Sequence, residues 1–256
     1  MHAPDELKEL VEEALERLDL WPQLHGQAES VRYSLEVGGK RIRPVLALAV
    51  GEALGAPVEQ VLPAALAIEL VHTFSLVHDD LPAMDDDEER RGHPSTWKRF
   101  GEGTAVLAGD ALLAEAVRLA AGYETSRVAR ELAEGTLGMI GGQYLDTMVD
   151  GHDLAEVHRL KTGRLFYASV TMALWAAGLP EAEQGPWRAF ADELGLLFQI
   201  VDDILDGDGY VEEEGRDGAR RLADEAAERA RARLAEVAAD TSVLREVVDS
   251  LAVRTT

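Results

Sequence analysis

Glu69-Leu70-Val71-His72-Thr73-Phe74-Ser75-Leu76-Val77-His78-Asp79-Asp80-Leu81-Pro82-Ala83-Met84-Asp85-Asp86-Asp87 is an apolar run that ends in a block of carboxylates. Apolar residues recur at helical spacing from Val61 to Leu81, and Pro82 limits that helix. Asp79 and Asp80 are therefore expected in its last turn, with Asp85 following from a turn or short loop. A helix C-terminus is the negative end of the peptide dipole, so ionised side chains there require a cation. A second block of the same kind, Asp202-Asp203-Ile204-Leu205-Asp206, closes the helical run that begins at Trp187. On that helix Gln199, Asp202 and Asp206 form a stripe beside an apolar arc of Phe190, Leu194, Leu197, Phe198, Val201, Ile204 and Leu205, with Asp203 to one side.

Hard oxygen donors in this number fit magnesium. Cysteine is absent and the seven histidines are not spaced as a ligand cluster, which argues against zinc, iron and copper. Magnesium shares its coordination readily with phosphate oxygens, so the expected partner is a phosphorylated or diphosphorylated small molecule.

The 256 residues carry a formal net charge of -23, with a pI near 4.6. Such a field repels nucleic acid and anionic membranes. An anionic substrate must then be met by a local cationic patch and by metal. Lysine occurs at four positions, Lys8, Lys40, Lys98 and Lys161. Met1 to Leu20 has neither a cationic leader nor an apolar core, so no signal peptide is expected. Val61 to Val77, the longest apolar stretch, is interrupted by Glu69 and His72 and is short for a membrane span. A cytoplasmic, disulfide-free protein is the expectation.

Helical periodicity also marks Leu7 to Leu18, Arg43 to Leu54, Leu107 to Ala121, Val128 to Thr147, Asp153 to Ala177, Arg216 to Ala238 and Val243 to Val253. Gly and Pro punctuate these runs, no alternating strand pattern appears, and no linker separates two domains. One all-α domain over residues 1–256 is predicted. Gly141-Gly142, inside a helical run, reads as close helix packing. Glu69 lies on the stripe of His72 and Asp79 and is expected to pair with a base.

Taken in order, these pieces resemble the trans-isoprenyl diphosphate (polyprenyl) synthases. The resemblance rests on Gly38-Gly39-Lys40-Arg41-Ile42-Arg43-Pro44, on His72 to Asp87 with Arg90-Arg91-Gly92, and on Ala108-Gly109-Asp110. It continues through Gly141-Gly142-Gln143 and Lys161-Thr162-Gly163 to Phe198-Gln199-Ile200-Val201-Asp202-Asp203-Ile204-Leu205-Asp206. A lone Asp-Asp-x-x-Asp would be weak evidence; this ordered set is specific. It implies a helical isoprenoid-synthase bundle around a deep apolar cavity, acting as a homodimer. Asp79 and Asp85 would bind two magnesium ions and Asp202 a third, all holding an allylic diphosphate that Arg90 also touches. Lys40, Arg43, His72 and Arg91 would receive isopentenyl diphosphate, and Lys161, Thr162 and Gln199 would lie over the allylic carbon. Phe74, five residues before Asp79, would act as a floor to the growing chain, with the small Ser75 leaving it unblocked. An aromatic residue there, with Pro82-Ala83 inserted in the first motif, goes in the family with a farnesyl product, and a smaller one with geranylgeranyl.

The chain departs from the family after Asp206. A lysine-bearing segment is expected there, but Glu212-Glu213-Glu214 follows instead and no lysine occurs beyond Lys161. Magnesium would then carry more of the allylic diphosphate. A non-catalytic partner subunit of a heteromeric synthase is the main alternative, disfavoured by intact carboxylates in both motifs. A terpene cyclase is disfavoured by the second Asp-Asp-x-x-Asp.

Overall fold

A computed structural model describes residues 1–151 and 153–254. Its helices are α1 (Pro4–Glu16), α2 (Gln27–Glu36), α3 (Ile42–Ala53), α4 (Val58–Asp79), α5 (Thr96–Phe100), α6 (Glu102–Ala120), α7 (Arg127–Met148), α8 (Leu154–His158), α9 (Arg164–Ala176), α10 (Gly185–Asp206), α11 (Tyr210–Ala235) and α12 (Ser242–Val253). Helix α4 packs against α6, α3 and α9, α7 packs on α9, and α10 lies between α9 and α11. The all-α expectation holds. Among the described helices, α4 alone is long and apolar enough to cross a membrane, and 67% of that apolar window is buried within the bundle. Its even hydrophobicity reflects burial on nearly all sides rather than one wet face.

Three features lie outside the periodicity. The run expected as one helix over Asp153 to Ala177 is divided, because Arg159–Gly163 forms a π-helical turn between α8 and α9. Such turns re-aim side chains and cluster at functional sites; this one carries Lys161 and Thr162. A strand pair, β1 (Glu89–Arg90) and β2 (His93–Pro94), closes a tight antiparallel hairpin, where no strand was expected. Arg91 and Gly92 at its tip both have positive φ, 54° and 78°, as a two-residue hairpin turn demands. The helix expected to start at Arg216 begins at Tyr210 and is broken by a non-helical Gly215.

Pro63 lies inside α4, where a missing N–H and a ring clash normally break a helix. The Tyr123 hydroxyl repairs the ladder, accepting from the Ala64 amide at 3.1 Å and donating to the Gln60 carbonyl at 2.8 Å. Burial pushes the Tyr123 phenol up to about 12.

Arg41 binds three helices together. Its Nη1 donates to Glu69 Oε1 on α4 at 2.7 Å, its Nε to Glu12 Oε1 on α1 at 3.0 Å, and its Nη2 to the Leu35 carbonyl on α2 at 2.6 Å. The two partners Arg41 and Glu69 are 2% and 4% exposed. Burial alone would lower the guanidinium, but Glu69 and Glu12 outweigh it and hold it above its ordinary value. Removing one partner of a buried pair leaves an uncompensated charge. Arg41→Met is therefore expected to cost roughly 3–5 kcal/mol, read as a lower urea midpoint with an unchanged slope.

Candidate active site

The bundle encloses a cavity of about 1030 Å³, lined at its mouth by charge and along its length by apolar side chains. Ten residues singled out from the sequence meet on its wall: Lys40, Arg43, His72, Phe74, Ser75, Asp79, Arg91, Lys161, Thr162 and Asp202. They come from the loop before α3, from α3, α4, the hairpin, the π-helical turn and α10. Asp85, Arg90 and Gln199 do not line it.

The carboxylates are held under electrostatic tension. Burial pushes the Asp79 carboxyl up to about 6; Lys161 opposes the rise, and Asp85 adds to it. Asp202 is raised from its ordinary value, chiefly by burial, with Lys40 opposing and Asp206 reinforcing. Asp85 is exposed, and its amide donates to the Asp79 carbonyl at 2.8 Å, folding the loop back over the end of α4. Asp80 points the other way: it is buried and paired with Arg90, whose Nε donates to Oδ1 at 2.9 Å. Arg90 also reaches Asp87 at 3.1 Å. The hairpin thus sends its two arginines in different directions, Arg90 to the first motif and Arg91 to the cavity.

Cations line the same cavity. Arg43 is half-buried, its Nε is buried with no hydrogen-bond partner, and its guanidinium carbon stands 4.6 Å from the centre of the Phe166 ring and 5.9 Å from that of Phe198. Burial lowers it to about 10. It remains charged at neutral pH, and an anion entering the cavity would satisfy it. Arg91 donates through Nη1 to the Gly38 carbonyl, fixing the hairpin against the loop that carries Lys40. His72 is lowered well below its ordinary value by burial first, then by Arg43, Arg91, Arg41 and Arg90. It is a neutral imidazole at pH 7. Glu69, expected to pair with a base, holds Arg41.

Lys161 pairs with Asp146 at 2.5 Å, and Gly142 lets α7 approach the π-helical turn. A Cβ at Gly142 would stand 2.2 Å from the Lys161 amide nitrogen. The packing reading of Gly142 holds, while Gly141 has open space around it. Gln199 turns its amide to Asp203, with Nε2 donating to Oδ1 at 2.6 Å. Asp203 is buried and also accepts from the Tyr210 amide at 2.9 Å, fixing the start of α11.

The sequence reading gave no role to Gln143, which lines the cavity with both its amide nitrogen and its amide oxygen buried and unpartnered. Its signal was present, a lone amide next to Gly141-Gly142 in a helical run, but spacing does not say which wall a helix face meets. Met139, Ile140, Tyr144 and Met148 on the same helix supply much of the apolar lining.

Residues 26–226 match the family model for polyprenyl synthetase. The chain belongs to the polyprenyl synthetase family. It is 41% identical over 216 residues to a farnesyl diphosphate synthase of Bacillus subtilis, covering 78% of this chain and 72% of the relative. It is 42% identical over 227 residues to a chloroplastic geranylgeranyl pyrophosphate synthase of Capsicum annuum, covering 83% of this chain and 62% of that protein. A geranyltransferase structure from Legionella pneumophila superposes with a TM-score of 0.89 at 31% identity, over 98% of this chain and 96% of its own. The bundle is thus the isoprenoid-synthase fold, and the family is one of prenyltransferases.

The raised Asp79 carboxyl makes a testable stability statement. Its folded value near 6 lies above the ordinary 3.8, so stability falls as pH rises between those values and the cost is complete above about 6. Asp79→Asn should therefore stabilise the metal-free protein at pH 8 by roughly 1–3 kcal/mol, the gain fading by pH 4. Thermal melts of both proteins across that range check it.

Proposed function

We propose that this chain is a magnesium-dependent short-chain prenyltransferase, one catalytic domain that joins isopentenyl diphosphate to an allylic diphosphate in the cytoplasm. The observation that carries this reading is the cavity itself. Cationic side chains, among them Arg43 with an unpartnered Nε, line the same cavity as carboxylates raised by burial, and much of the remaining lining is apolar. Both signs of charge suit a pair of diphosphates, one gripped directly by cations and the other through metal.

The donor set fits magnesium. Asp79, Asp85 and Asp202 are hard oxygen donors, two of them in surroundings that disfavour bare charge. Among the described residues no three His, Cys, Asp or Glu side chains converge on one point, so phosphate oxygens would have to complete the coordination. When bound, magnesium neutralises the charge that develops on the departing diphosphate; the reading assigns three ions.

The chain's own residues do the rest. Lys40, Arg43 and Arg91 hold isopentenyl diphosphate, and neutral His72 donates a hydrogen bond without adding repulsion to four nearby guanidinium groups. Arg90, fixed by Asp80 and Asp87, backs the allylic site as a positive charge. The allylic carbon–oxygen bond breaks to release diphosphate, the double bond of isopentenyl diphosphate attacks the resulting cation, and a proton then leaves the new chain for the released diphosphate. Lys161 and Thr162 lie over the reacting carbon. There the Thr162 hydroxyl dipole stabilises positive charge without capturing it. Gln143 serves the same end from α7, whereas Gln199 on α10 spends its amide on Asp203. The apolar walls exclude the water that would quench the cation.

A second copy of the chain is the partner in this reading. Val106, Leu107 and Val117 on α6 and Leu137, Ile140, Tyr144 and Met148 on α7 are exposed, apolar side chains that pairing of two chains would take out of water. Four of them also line the cavity, so pairing there would close its side. A non-catalytic partner subunit is not favoured, since it has no use for buried carboxylates on both motifs.

Chelation should abolish turnover and magnesium should restore it. Asp202→Ala should lower kcat/KM by about three orders of magnitude or more in steady-state assays with both diphosphates; full activity in chelator would overturn the reading. Product length follows from Phe74, 7% exposed and on the cavity wall. Five residues of helix rise about 7.5 Å, roughly one to two isoprene units, so a ring there shortens the channel, and the family resemblance assigns a farnesyl product to an aromatic residue at this position. Phe74→Ala is expected to move the main product from farnesyl to geranylgeranyl diphosphate or longer, separated by chromatography.

A further inference from the structure

Phe74 does not hold its place alone. We propose that His78 is a specificity-determining residue that braces the Phe74 ring from the next turn of α4, and that Gly109 exists to seat it. The proposal rests on the reading of Phe74 as the chain-length floor and adds what keeps that floor still.

Three observations converge on the imidazole. His78 stands one helical turn after Phe74 on α4, the spacing at which side chains meet. Their ring centroids are 5.1 Å apart at an interplanar angle of 82°, edge to face, the geometry aromatic quadrupoles favour. At the far side, His78 Nε2 lies 3.0 Å from the Val106 carbonyl on α6. That carbonyl can only accept, so Nε2 carries the proton and the ring orientation is set. The space for it is provided by Gly109, one turn further along α6. A Cβ at Gly109 would stand 2.2 Å from Nε2 and 2.4 Å from Cδ2 of His78, so no other residue leaves the imidazole where it is.

These contacts form one chain from α6 backbone to imidazole to phenyl ring, and both rings face the cavity. Phenylalanine on a helix has two accessible χ1 wells. With the imidazole clamped behind it, the ring cannot swing aside as a longer chain presses on it. Ala108-Gly109-Asp110, a motif without a chemical role in the reaction, thereby acquires one through Gly109. His78 is a positioning residue, since it acts through Phe74, and its signature is product length rather than rate.

The test compares product distributions from dimethylallyl and isopentenyl diphosphates for wild type, Phe74→Ala, Gly109→Ala and His78→Ala. Gly109→Ala fills the seat without touching Phe74, whereas His78→Ala empties it, so a folding defect in one leaves the other informative. Both should raise the ratio of twenty-carbon to fifteen-carbon product several-fold, with a smaller effect than Phe74→Ala. Adding Gly109→Ala to Phe74→Ala should lengthen the product no further, because the braced ring is already gone. If Phe74→Ala lengthens the product while both other variants, shown folded by circular dichroism, match wild type, the brace is refuted and the floor stands. If Phe74→Ala leaves the product unchanged, floor and brace fall together.

Discussion

Charge buried at the mouth of an apolar channel is the constraint on which the rest of this protein depends. Neither set of side chains is comfortable in isolation. The Arg43 Nε is buried and unpaired, and Asp79 is displaced toward its neutral form. Folding has to supply the free energy to hold them there, and the apolar burial of α3, α4, α9 and α10 supplies it. The site is therefore strained: an anion would relieve Arg43 and a cation would relieve Asp79.

The neighbouring charges that are not strained show how the division is made. Arg41 and Glu69, Asp80 and Arg90, and Lys161 and Asp146 are paired inside the protein. These pairs fix the loop before α3, the turn after α4 and the π-helical turn, which carry or adjoin the cavity-lining groups. Adjacent residues in one motif thus serve opposite ends: Asp79 faces the cavity while Asp80 anchors the hairpin, and Asp202 faces it while Asp203 fixes the start of α11. The Tyr210 amide, bound to Asp203, fixes the chain just after Asp206.

Local sequence made the helices legible because a residue's burial in a bundle repeats every 3.6 positions, and the clustered aspartates were legible because carboxylates at the end of an apolar run are costly without a purpose. The ordered motifs then led to the polyprenyl synthetase family, and ten of the expected residues meet on one cavity. The hairpin after Asp87 was not visible, since two-residue strands give no alternation. The π-helical turn was not visible either, because it changes the hydrogen-bond register without changing composition.

Sequence by itself determined the all-α class, the two acidic helix ends, the basic residues before and within α3 and the closeness of Gly142 to a neighbouring backbone. Tertiary structure decided which member of each acidic pair faces the cavity, that Gln143 rather than Gln199 lines its wall, and that Arg41 is a rivet rather than a substrate ligand. It also decided that Gly109 makes room for an imidazole. The reason is physical: periodicity and motif spacing are properties of one helix, whereas the direction of a side chain at a helix end depends on which neighbour offers it a partner.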